Sequence, residues 1–125
     1  MIYGIGTDVV TVTRMAAAFD KFGERFAQRI LAPEEWDAFA ASTQPGHFLA
    51  KRFAAKEAFA KAMGTGLRHP VTLHGMYVVH DALGRPAMAC HPEMAAALQQ
   101  RGICGHHLSI SDEKELAVAF VVLEC

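Results

Sequence analysis

The chain has 125 residues, 52% hydrophobic and 20% charged, which suits one compact domain over residues 1–125 and excludes a globally disordered chain. Its 12 basic and 13 acidic residues give a formal net charge of -1, without the basic bias expected of a nucleic-acid-binding domain. Cys90, Cys104 and Cys125 are odd in number, widely spaced and without a CxxC pattern. They argue against a disulfide framework or structural zinc and for a reducing, cytoplasmic setting. The first residues lack a basic n-region and a cleavage site, and the apolar run Leu116 to Leu123 is too short to span a bilayer, so no membrane association is expected.

In chain order, Ile2 to Val10 reads as a strand in which Gly4 and Gly6 let another backbone come close. Thr11 or Thr13 can cap a helix carrying Met15, Ala18, Phe19 and Phe22, with Gly23 as its stop. Phe26 and Ile30 belong to a second helical piece, and Pro33 fits the first turn of a third, with Trp36 and Phe39. After a loop at Ser42 to Gly46, a long helix is predicted from His47 to Met63, ended by Gly64. Met76 to His80 and Ala87 to Cys90 read as strands joined around Gly84-Arg85-Pro86. Pro92 to Gln100 reads as a helix, and His107 to Ser111 with Leu116 to Glu124 as a last hairpin. Strands and helices do not alternate strictly. The order predicts an α+β fold, a mainly antiparallel sheet packed against the long central helix.

Two carboxylates stand out. Asp8 closes a strand of small and apolar residues, either to present a ligand group at a sheet edge or as a turn or cap residue before Thr11. Glu57 and Lys61 stack one turn apart on the long helix, and Ala50 and Ala54 on their side leave room for something bulky. An i,i+4 surface ion pair, about 0.2–0.5 kcal/mol, is the alternative. Arg52 and Lys56 fall inside the apolar arc of that helix, from which they can snorkel to water or reach a phosphate. Gly64-Thr65-Gly66 is a C-cap and turn, or a place where backbone N–H groups approach a phosphate. It is not a Walker A loop, because no GK[ST] follows. The histidines form no HxxxH or HExxH pattern, and adjacent His106 and His107 should face opposite ways on a strand. Oxygen donors alone favour Mg²⁺ over zinc.

Gly4-Ile5-Gly6-Thr7-Asp8-Val9-Val10, the stretch from Arg52 to Gly66 and the weaker His107-Leu108-Ser109-Ile110-Ser111 resemble the holo-acyl-carrier-protein synthase family of small bacterial phosphopantetheinyl transferases. The resemblance runs over nearly the whole chain. It implies the 4′-phosphopantetheinyl transferase fold, a role in fatty acid biosynthesis, and transfer of 4′-phosphopantetheine from coenzyme A to a serine of apo acyl carrier protein, releasing adenosine 3′,5′-bisphosphate. It implies Asp8 and Glu57 as Mg²⁺ ligands, with Glu57, directly or through a metal-bound water, taking the serine proton. Lys61 would contact coenzyme A phosphate and offset leaving-group charge. Lys56, Gly64, Thr65, Gly66 and His107 would lie around the cofactor. The family forms trimers with sites between subunits. Its carrier proteins are acidic, so Arg14, Lys21 and Arg25 become the expected docking surface.

Overall fold

The computed structural model describes residues 1–125. Strand β1 (Ile2–Thr11) runs directly into helix α1 (Val12–Phe22), and Gly23 separates α1 from α2 (Glu24–Ile30). A 3-10 turn (Pro33–Glu35) and α3 (Trp36–Ala41) lead to the long helix α4 (Pro45–Met63). Strands β2 (Met76–His80) and β3 (Pro86–Cys90), helix α5 (Pro92–Gln100) and strands β4 (Gly105–Asp112) and β5 (Leu116–Glu124) complete the chain.

The α+β expectation holds, with one change. The strands form two antiparallel sheets, a three-stranded β1-β5-β4 and a two-stranded β2-β3. They are linked by a side chain: the Met88 N–H donates to His106 Nε2 at 3.1 Å. That bond needs an unprotonated Nε2, and burial holds the His106 pKa below its ordinary value. Helix α4 also starts earlier than expected, at Pro45. Proline costs nothing at the first helical position, where its missing N–H would have no intrahelical partner. Strand β4 is likewise longer than the five residues expected of it.

Helix α4 is buried on most of its circumference, which explains its alanines. Ala54, Ala58 and Ala62 lie in the main core with Phe59, Met76, Met88, Val121 and Leu123. Each large apolar side chain buried there contributes about 1.5–3 kcal/mol. Gly4 and Gly6 lie flat on the helix, where a Cβ at either would overlap the carbonyls of Ala62 and Ala58. The small residues of α4 therefore make room for the chain itself, and Ala50 and Ala54 leave no space for a ligand. A second, smaller core gathers Ala27, Ile30, Leu31, Phe39 and Leu49 between α2, α3 and α4.

Candidate active site

Alternation along β1 turns Gly6, Asp8 and Val10 toward α4 while Ile5, Thr7 and Val9 face outward. Close glycine packing then delivers the Asp8 carboxylate beside the middle of α4. Lys61 reaches back to it, its Nζ donating to Asp8 Oδ1 at 3.1 Å and to the Thr7 carbonyl at 2.9 Å. The ion pair is therefore between elements, not the Glu57–Lys61 pair that spacing alone allows, and Asp8 does not cap α1.

Glu57 sits one turn before Lys61, half-buried. Its pKa is raised, first by burial and then by the Asp8 charge, with Lys61 opposing. Two carboxylates thus stand close enough to repel, and the one cation bonded to Asp8 is half exposed. Two hard oxygen donors brought together against their own repulsion fit Mg²⁺, which usually takes one or two carboxylates and fills its remaining positions with phosphate oxygens and water. Both carboxylates line a cleft of about 510 Å³ whose other walls include Arg14, Met15, Phe26 and Phe53. The exposed Lys21 and Arg25 border an adjoining hollow that shares Phe26 with this cleft.

Residues 4–121 match the 4′-phosphopantetheinyl transferase superfamily. The chain belongs to that superfamily. It is 60% identical over 124 residues to the holo-[acyl-carrier-protein] synthase of Nitrosospira multiformis, covering 99% of both chains. A crystal structure of the synthase from Neisseria meningitidis superposes with a TM-score of 0.96 at 50% identity over 100% of both chains. The Bacillus anthracis synthase in complex with CoA (3′,5′-ADP) gives 0.81 at 38% identity, covering 98% of this chain and 96% of that one.

Within this superfamily member, the remaining expected site residues fall in different places. Lys56 is a correction. It is fully buried, its Nζ donating to Glu35 Oε1 at 2.6 Å, the Ile30 carbonyl at 2.7 Å and the Leu73 carbonyl at 2.8 Å. An ammonium has three donors, and all three are used inside the protein, so none is left for a cofactor. Arg52 is buried on the same carboxylate, Nε 3.2 Å from Glu35 Oε2, with its guanidinium 4.3 Å from the centre of the Phe48 ring. It neither snorkels nor faces an open phosphate site. Gly64-Thr65-Gly66 follows α4, Gly64 being the left-handed C-cap, and Gly64 and Thr65 line a separate hollow with Arg68 and Arg101. His107 lies on the outer face of β4, paired with Glu124 at 3.2 Å, away from the Asp8–Glu57 cleft of the same chain. It borders a cleft of about 530 Å³ with His80, Asp81 and Arg85.

Sequence reasoning missed Glu35 and the apolar walls Phe26 and Phe53. The signal for Glu35 was available. Two cations inside an apolar arc require a buried anion.

Proposed function

We propose that the Asp8–Glu57 cleft, with Lys61 bonded to Asp8 beside it, is the transfer site of a holo-[acyl-carrier-protein] synthase. The chain moves 4′-phosphopantetheine from coenzyme A to a serine hydroxyl of apo acyl carrier protein. The serine oxygen attacks the phosphorus that bears pantetheine, the bond to the bridging oxygen breaks, and 3′,5′-ADP leaves. The observation that carries this reading is the convergence of two carboxylates, Asp8 from β1 and Glu57 from α4, on one cleft, with Lys61 paired to Asp8, in a chain of this family. Asp8 and Glu57 would hold Mg²⁺, which when bound supplies positive charge to the pyrophosphate oxygens as the anhydride opens. Lys61, fixed by Thr7 and Asp8, adds a second positive charge close by. Glu57, directly or through a bound water, would accept the serine proton. Met15, Phe26 and Phe53 give the cleft an apolar wall that limits water.

Arg14 at the rim, with Lys21 and Arg25 beyond Phe26, offers cations to an acidic carrier protein. The outer face of the three-stranded sheet exposes Ile5, Val9, Leu116 and Phe120 at 60%, 60%, 43% and 44%. An apolar face of that kind suits burial between copies in a homotrimer, which would bring His107 of one subunit toward the site of the next. Three free thiols, and no helix long and apolar enough to cross a membrane, fit a cytoplasmic setting.

The test is mass spectrometry of apo acyl carrier protein incubated with the chain, coenzyme A and Mg²⁺. The expected result is a gain of one phosphopantetheine group that requires both coenzyme A and the metal. An unchanged carrier mass under full conditions overturns the reading.

A further inference from the structure

The Glu35–Lys56 pair is more heavily bonded than a salt bridge placed only to neutralise charge. Lys56 Nζ joins three segments: the end of α2 through Ile30, the 3-10 turn through Glu35, and the chain before β2 through Leu73. Glu35 Oε1 also accepts the Ala32 N–H at 3.0 Å, and Oε2 accepts the Val78 N–H at 3.1 Å. Both side chains are essentially sealed from water, at 0% and 1% exposure.

The bond to Ile30 matters most for the cleft. Helix α2 has only seven residues, too few to persist without tertiary support. Its last carbonyls have no partner within the helix and carry its negative end, so a buried ammonium on Ile30 acts as a C-terminal cap. One turn earlier on α2, Phe26 forms a wall of the cleft that holds Asp8 and Glu57. Lys56 precedes Glu57 on α4. The same turn of α4 therefore carries a metal-ligand candidate on one side and the anchor of the opposing wall on the other.

We infer that Lys56, with Glu35, is a positioning residue that sets α2 and its Phe26 wall against the part of α4 carrying Glu57 and Lys61, and so shapes the approach of the carrier protein. This rests on the transfer reading above. Lys56→Met preserves length and apolar volume and leaves Glu35 in a neutral pair with Arg52, so no carboxylate is stranded while the Ile30 and Leu73 carbonyls lose their donor.

Steady-state kinetics of Lys56→Met, well below its melting temperature, should show the carrier-protein KM raised about 3- to 30-fold, the range in which residues off a site modulate it. The kcat and the coenzyme A KM should stay near wild type. Hydrogen exchange should quicken in α2 and not around Asp8. Lys56→Gln, which can restore one carbonyl bond, should recover part of the KM and serves as the test variant if Lys56→Met does not fold. Wild-type kinetics in the folded variant would overturn the inference and leave Lys56 as packing only. A fall confined to kcat, or a rise confined to the coenzyme A KM, would overturn it too. If the wild-type chain transfers nothing, the transfer reading fails separately, and exchange in α2 then decides the anchoring on its own: unchanged exchange overturns it.

Discussion

On α4, Lys56 points into a dry pocket beside α2 and the 3-10 turn, while Glu57, the next residue, turns into the cleft with Asp8. The two clusters use the same ingredients in opposite proportion. In the buried one, Lys56 and Arg52 share the single carboxylate of Glu35. In the cleft, Asp8 pairs with Lys61, and Glu57 has no ion-pair partner of its own. Most of the buried excess of positive charge is met from within, by the Ile30 and Leu73 carbonyls and by the Phe48 ring, although Arg52 Nε makes no hydrogen bond. Glu57 in the cleft has no such bonded partner, and its pKa is raised, first by burial and then by the Asp8 charge. A cluster met mostly by its own chain builds the fold, whereas one left short of a cation has capacity for something brought from outside.

The contrast is broken most severely at Glu35. Glu35→Ala would leave two buried cations and the Val78 and Ala32 N–H groups without their acceptor. The expected loss is about 3–5 kcal/mol, the usual cost of breaking a buried ion pair from one side. Urea unfolding monitored by Trp36 would measure it, and a loss below 1 kcal/mol, as an order of magnitude, would mean that water or a rearranged side chain supplies the missing charge.

In the cleft the same kind of deletion should act on turnover and spare the fold. Asp8→Ala and Glu57→Ala should each lower transfer about 100- to 1000-fold, by analogy with other deletions of transition-state electrostatics. Because Glu57→Ala removes one of two like charges held together, its melting temperature should hold or rise, whereas Asp8→Ala also gives up the half-exposed pair with Lys61, at most about 1 kcal/mol. Near wild-type transfer at low Mg²⁺ by either folded variant would remove that residue from the metal site.

The two clusters were unequally legible. Asp8 could be read from the chain because Gly4 and Gly6 mark a strand pressed against a neighbour, and a charge two positions later on the same face must lie at that contact. The end of α4 was legible from Gly64, but its start was not, since Pro45-Gly46 has the composition of a loop. Pro45 fits the first turn, and Gly46 is needed there because a Cβ would come within 2.8 Å of Ala16 Cβ. Lys56 and Lys61 look alike in sequence. They differ through Glu35, 21 residues before Lys56, and Leu73, 17 after it; the apolar arc around Lys56 calls for a buried anion, but no local pattern says which residue supplies it. For His107 the alternation of β4 gave the right facing, opposite to His106. What local pattern could not give is that this face lies away from the chain's own cleft.

The smallest effect is expected at Arg14, which borders the cleft but pairs with neither carboxylate. Its helix leaves β1 directly, so the guanidinium stands at the rim of the cleft, where the proposed docking would bring an acidic carrier past it. Exposed charge in that position steers encounter more than it stabilises the final complex. Arg14→Glu should therefore raise the carrier-protein KM about fivefold or somewhat more, the scale of an exposed pair lost and reversed. The coenzyme A KM and the kcat at saturating carrier should not move. Added salt should weaken the wild type toward the variant, because exposed charges are screened beyond about 8 Å at physiological ionic strength. Kinetics with each substrate varied in turn, at two salt concentrations, separates this from a purely solvated arginine. An unchanged carrier KM in Arg14→Glu would remove Arg14 from docking. A loss that persists undiminished in high salt would instead give it a short-range contact in the cleft, and set it beside Lys61 as a second cation serving the Asp8–Glu57 pair.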